Sequence, residues 1–181
     1  MIVFSGTGYV RADRDFARLV QQRSGESVER CYQCGKCVAG CPTAAMMDNP
    51  PARTMHLVRL GLRDLALQST AIWLCVGCET CTTRCPQEID IARVMKTLCQ
   101  LAEEAGIRAP EPIAAFHRAF MSTVRSHGRA HELAAMAETK LRTGRLFTDI
   151  GLGVAMFTKG KLSLLPHRIR GRGEVAELFE K

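Results

Sequence analysis

A twelve-residue cysteine pattern occurs twice in this chain, as Cys31-x2-Cys34-x2-Cys37-x3-Cys41-Pro42 and Cys75-x2-Cys78-x2-Cys81-x3-Cys85-Pro86. No other feature constrains the fold as tightly. Three thiolates at intervals of three residues can wrap one iron-sulfur cubane, while the fourth, held off by three residues and followed by proline, points toward another. The spacing therefore predicts two clusters that exchange a ligand. Cluster one would take Cys31, Cys34, Cys37 and Cys85, and cluster two Cys75, Cys78, Cys81 and Cys41. Crossed ligation of this kind turns the two motifs face to face and gives an electron on one cluster a neighbour to move to.

Zinc is the rival metal, because four thiolates also suit a tetrahedral structural site. Structural zinc pairs two Cys-x2-Cys knuckles across a longer loop, whereas each motif here packs three intervals into eleven residues and closes with proline. Two 4Fe-4S clusters are the expected cofactors. Nine cysteines are an odd number for a disulfide framework, and the N-terminus shows neither a basic leader nor an apolar signal stretch. A reducing, cytoplasmic setting is expected. No run approaches the roughly 18 apolar residues of a membrane span, so no membrane span is predicted and the chain is read as soluble or peripherally bound.

With 181 residues, 46% hydrophobic and 24% charged, the chain has the size and balance of one globular domain with extensions. The formal net charge of +7 invites nucleic acid as a partner. The basic residues are scattered and few aromatics accompany them, so nucleic-acid binding is not expected. A local excess near the C-terminus, at Lys159, Lys161, Arg168, Arg170 and Arg172, suits either an acidic partner surface or a solvated face.

Apolar spacing predicts helices rather than strands. Ala12 to Arg23 places Phe16, Leu19 and Val20 on one side, with Gly25 as a stop. Pro51 fits the first turn of a helix with Met55, Val58, Leu60 and Leu62 as its apolar face, and a short helix follows around Arg63 to Gln68. Ile89 to Glu104 aligns Ile91, Val94, Met95, Leu98 and Leu101 in one stripe ahead of Gly106. Ile113 to Ser126 and His131 to Thr143 read as two more helices. The glycine-punctuated stretch after Thr148 ends in a short helix with Val175, Leu178 and Phe179 on one face. Nothing alternates with period two for long enough to predict a sheet. The fold class is all-α, with both cysteine motifs on turns between helices; a small ferredoxin-like pair of β-hairpins is the alternative.

Within the motifs, Gly35, Gly40 and Gly77 let backbone N–H groups approach sulfur or simply permit tight turns. Lys36 and Arg84 surround cluster one with positive charge, while Glu79 lies in the second motif, which predicts a higher reduction potential for cluster one. Cys99, the ninth cysteine, reads as a small buried hydrophobe rather than a ligand. Met46, Met47 and Met55 are expected to fill gaps around the clusters, and Trp73 to shield one from water. The five histidines have no partner at metal-ligand spacing. No dinucleotide fingerprint, P-loop or nucleophile elbow is present, and no catalytic residue is assigned.

The two motifs, the intervening Pro51-Ala-Arg-Thr-Met-His-Leu-Val-Arg-Leu-Gly-Leu segment and Ile72-Trp73-Leu74-Cys75 resemble the C subunit of heterodisulfide reductases. The likeness continues at Lys140-Leu-Arg-Thr-Gly-Arg-Leu-Phe and Lys159-Gly-Lys-Leu-Ser-Leu-Leu-Pro-His-Arg-Ile-Arg-Gly. The cysteine motifs alone are shared with succinate dehydrogenase and fumarate reductase iron-sulfur subunits. The resemblance implies an alpha-helical ferredoxin domain over residues 1–108, with two 4Fe-4S clusters, and a helical extension over 109–181 that docks partner subunits. It further implies electron relay between a flavin-containing A subunit and a B subunit whose Cys-Cys-Gly motifs hold the site of disulfide chemistry. This chain has no Cys-Cys-Gly. A free-standing two-cluster electron carrier and an iron-sulfur subunit of another dehydrogenase complex are the alternatives.

Overall fold

The computed structural model describes residues 2–5, 8–144, 150–161 and 169–180, and for residues 2–11, Ile150 and Leu152 the backbone alone. Arg168 of the basic group, and parts of both C-terminal stretches that carry the resemblance, lie outside the described residues. The chain is helical, with one addition. Two four-residue strands, β1 (Ile2–Ser5) and β2 (Gly8–Arg11), pair antiparallel in a register running from Ile2↔Arg11 to Ser5↔Gly8. Strands this short offer two residues per face, too few for an alternation to stand out in the sequence. Close contacts divide the chain into two units, Met1–Ala109 and Pro110–Lys181.

In the first unit α1 (Phe16–Ser24) starts at Phe16 rather than Ala12. The reason is local: the Asp13 N–H donates to the Gly61 carbonyl at 2.8 Å, and the Asp13 side chain accepts the Asp15 N–H, so the preceding residues form a turn. Gly61 admits this approach because a Cβ there would lie 2.2 Å from the Asp13 carbonyl oxygen. Phe16 and Val20 are fully buried and Leu19 is half-buried. The four-residue α2 (Lys36–Ala39) lies inside the first cysteine motif. Next, α3 (Pro51–Arg59) opens on Pro51, as its fixed φ favours, and buries Thr54, Met55, Leu57 and Val58. Leu60 and Leu62 lie past its end, on the turn into α4 (Arg63–Leu67). The short α5 (Ala71–Leu74) buries Ala71, Ile72 and Trp73 and delivers Cys75, and α6 (Thr80–Thr83) lies inside the second motif.

The long α7 (Ile91–Glu104) is the axis of this unit and packs against α1, α3, α4, α5 and α6. Its expected stripe is buried throughout, joined by Thr97 and Ala102. Each such large aliphatic side chain contributes about 1.5–3 kcal/mol of burial free energy, and through α5 and α6 the second motif rests directly on α7.

The second unit is a helical hairpin with additions. In it α8 (Glu111–His127) and α9 (Glu132–Thr143) meet along Ala115, Ala119, Thr123 and Ala135, small side chains that let two helices approach closely. The chain continues to α10 (Ile150–Thr158) and α11 (Arg172–Glu177), the latter packed on α8. Val175 and Phe179 are half-buried as expected of the last apolar face, but Leu178 is 69% exposed. On α10, Val154 and Phe157 are exposed. No helix among the described residues is long and apolar enough to cross a membrane.

Candidate metal centre

The two motifs share a backbone as well as a spacing. Left-handed φ values recur at corresponding positions, Gln33 (62°) with Gly77 (61°) and Gly35 (75°) with Glu79 (59°). Two left-handed residues flanking the second cysteine fold each loop back on itself, after which α2 or α6 begins. Glycine takes one of the two positions in each motif, and a different one each time, which hides the equivalence in the sequence. Exposure repeats as well: Cys37 and Cys81 are buried, Cys34 and Cys78 exposed, and Cys31, Cys41, Cys75 and Cys85 half-buried.

Packing of α2 against α6 brings the motifs together. The Arg30 guanidinium donates to the Gln87 carbonyl, so the segment leading into the first motif is tied to the one leaving the second. One hollow is lined by Cys75, Cys78 and Cys81 of the second motif together with Cys41 of the first, over an apolar wall that includes Met47, Pro51 and Met95. On the other side, the Tyr32 phenol is pushed up by desolvation and by its neighbours Cys34 and Cys85, so the last cysteine of the second motif stands by the first. Among the described residues no three His, Cys, Asp or Glu side chains converge as a single ion would require. None of the nine cysteines is in a disulfide.

Donors face the sulfurs. The Gly77 N–H donates to Cys75, as the glycine spacing suggested, while Gln33 Nε2 approaches Cys31 Sγ at 3.3 Å. The Thr43 hydroxyl lies 3.5 Å from the Cys41 sulfur, and the Cys78 thiol donates to the Thr80 hydroxyl oxygen at 3.5 Å. Burial, reinforced by the thiols of Cys31, Cys81 and Cys34, pushes Cys37 up to about 11. Burial likewise raises Cys75 and Cys81, whereas hydrogen bonds from Thr80 lower Cys78. Thiolates crowded together in this way await a cationic centre to share their charge. The unpaired thiols, their grouping across motifs and the donors aimed at them all fit iron-sulfur clusters.

Two aspartates that sequence reasoning missed hold the second motif at its ends. Asp48 accepts hydrogen bonds from the Ser69 hydroxyl at 2.7 Å and the N–H groups of Thr70 and Ala71 at 3.0 Å, fixing the start of α5. Burial disfavours its charge, but bonds from Ser69, Thr70 and Asn49 prevail and hold the carboxyl down at about 2. Asp90 caps α7 by accepting the Arg93 N–H at 2.9 Å and also accepts the Thr82 hydroxyl at 3.0 Å, fixing α6 to α7. An acidic residue just before a long apolar stripe was the available signal for Asp90; Asp48 gives none.

Other expectations divide. Met47 and Met55 are buried, but Met46 is 64% exposed and fills no gap, because the loop after Cys41 turns it outward. Trp73 is buried. Arg84 lies across Gly40, where a Cβ would meet its guanidinium, so its charge stands beside Cys41 as well as Cys85. Cys99 lines the open groove next to Cys75 and not the hollow of the four cysteines. Burial, then Glu103 and Cys75, raises its thiol to about 11.

Residues 27–89, the whole two-motif region, match the family of the 4Fe-4S dicluster domain. The chain is 32% identical over 130 residues to the C subunit of the Ferredoxin:CoB-CoM heterodisulfide reductase of Methanosarcina mazei, covering 72% of this chain and 76% of that one. The chain belongs to the family of heterodisulfide reductase C subunits. It is also 34% identical over 101 residues to the C subunit of the H(2):CoB-CoM heterodisulfide,ferredoxin reductase of Methanothermobacter thermautotrophicus, across 54% of this chain and 53% of the relative. An iron-sulfur C subunit, the second of its kind, of the CoB--CoM heterodisulfide reductase of Methanocaldococcus jannaschii is 36% identical over 105 residues, across 58% and 53%. The chain thus spans about half the length of several curated relatives it matches. As a member of this family with a dicluster domain, it is an iron-sulfur protein with two 4Fe-4S clusters.

Proposed function

We propose that this chain relays electrons within a heterodisulfide reductase-like complex, between a flavin-containing A subunit and a B subunit whose Cys-Cys-Gly motifs hold the disulfide chemistry. In this reading Cys31, Cys34, Cys37 and Cys85 hold the first cluster, and Cys75, Cys78, Cys81 and Cys41 the second. The observation that carries it is the presence of Cys41 in one hollow with Cys75, Cys78 and Cys81. Bound clusters supply one-electron carriers whose potentials depend on charge, solvent access and hydrogen bonds to sulfur.

The protein supplies the rest. Buried Cys37 and Cys81 anchor each set against the core, while exposed Cys34 and Cys78 leave one side of each set open to an approaching redox partner. Met47, Pro51 and Met95 exclude water behind the second set. Residues 109–181 serve as the docking extension, with the apolar side chains of Val154 and Phe157 available for burial against a partner protein.

Anaerobic isolation of the tagged chain from its host tests this reading. Co-isolated chains bearing flavin and Cys-Cys-Gly motifs are the expected outcome; a brown, monomeric chain that comes out alone would replace the complex by a free carrier. Cys85→Ser is expected to disturb the cluster of the first motif, and loss of the second alone would remove the crossed assignment.

A further inference from the structure

The two sets of thiols do not meet the same donors. Thr43 follows Cys41 by two residues and Thr80 follows Cys78 by two residues, and each hydroxyl oxygen lies 3.5 Å from the sulfur. The Cys78 thiol donates to Thr80 Oγ1, and once ligation removes the thiol proton the sulfur can only accept, so the hydroxyl becomes the donor. At the corresponding positions of the duplicated motif stand Gln87, after Cys85, and Lys36, after Cys34, neither of which carries a hydroxyl. Cys41 and Cys78 belong to different motifs yet line the same hollow. Crossed ligation therefore collects both hydroxyls on one cluster.

We propose that Thr43 and Thr80 act as a pair on the second cluster, donating to two of its thiolates and raising its reduction potential selectively. The inference rests on the crossed ligand assignment above. A hydroxyl donated to a thiolate draws electron density from sulfur and stabilises the more negative, reduced state of the centre it ligates. The Thr43 contact is half-buried, where water weakens such a bond little, while the Thr80 contact is exposed, as are Tyr32 and Gln33 on the first set. Thr82, next to Cys81, donates to Asp90 at 3.0 Å, and its hydroxyl also meets the Cys81 sulfur of the same set. The two threonines are positioning residues for electron flow: they favour an electron on the second cluster, against the Lys36 charge that favours the first, without touching a substrate.

A redox titration of the full anaerobic protein, followed by electron paramagnetic resonance, tests the proposal with Thr43→Val, Thr80→Val and the double variant. Each single variant is expected to lower the same midpoint, the double variant to lower it further, and the other midpoint to stay in place. Thr43→Ser and Thr80→Ser, which keep the hydroxyl, are expected to retain the wild-type midpoints. Where a Val variant loses iron, Thr→Ala takes its place, since it removes the hydroxyl without pressing a methyl group on sulfur. Unmoved midpoints in variants with full iron content would overturn the tuning role and leave the ligand assignment intact. A shift of one midpoint by Thr43→Val and of the other by Thr80→Val would instead overturn the crossed assignment, and the proposal with it.

Discussion

At the scale of single residues, the motif loops depend on left-handed backbone at matched positions, and the two copies meet that need differently. Glu79, with φ 59°, occupies a conformation that costs an L-residue about 1 kcal/mol. Glu79→Gly is expected to raise the stability of the loaded protein by up to about 1 kcal/mol, and Gly77→Ala to lower it by a similar amount. Thermal unfolding with iron content measured alongside checks both. Asp48 is a second case. Its folded carboxyl titrates at about 2, below the ordinary 3.8, so its stabilisation is complete above the ordinary value and is lost as pH falls toward 2. The stability gap between wild type and Asp48→Asn is expected to be about 1 kcal/mol at neutral pH and to close with acidification. Denaturant titrations of cluster-free protein at several pH values decide this; a gap that persists at pH 2 would contradict it.

Helix α7 matters most at the scale of elements, because α1, α3, α4, α5 and α6 all pack on it. Leu98 is fully buried, so Leu98→Ala is expected to cost about 3 kcal/mol. Asp90→Ala is expected to cost about 1 kcal/mol as a lost cap, and additionally to loosen α6 because the Thr82 bond goes with it. Hydrogen exchange that rises in residues 80–83 of the variant, beyond the first turn of α7, would be the mark of that coupling. The stripe of α7 was legible because fourteen residues hold four turns of apolar period. By contrast α2, α5 and α6, with four residues each, are too short to carry a period, and they exist because neighbouring elements hold them.

For the molecule as a whole, the clusters and the hydrophobic core are separable supports. Between residues 31 and 46 only Cys37 is buried, and between 75 and 88 only Cys81, while α1, α3 and α7 bury their own apolar faces. Removal of iron by a chelator is therefore expected to preserve most helical circular dichroism while opening both cysteine loops to proteolysis. Wholesale loss of helix would contradict this. Loading works in the other direction: Cys37, held at about 11, must give up its proton to ligate iron. The rate of anaerobic reconstitution is accordingly expected to rise from about pH 7 to about pH 9, followed through the brown absorbance; a flat profile would count against it.

The sequence alone determined the cofactor type, the ligand residues expected of it and the helical class, because thiolate spacing and apolar period act over a few residues of chain. It was silent on the hairpin β1–β2, on Asp48 and on the common backbone of the two motifs, whose glycines occupy different positions. Tertiary structure brings Cys41 into one hollow with Cys75, Cys78 and Cys81, the grouping the spacing predicted, and it alone decided that two distant threonines stand over sulfurs of the same set. The reason is physical: such meetings depend on how α2 and α6 pack on each other and on α3 and α7, and packing joins residues that no local spacing relates.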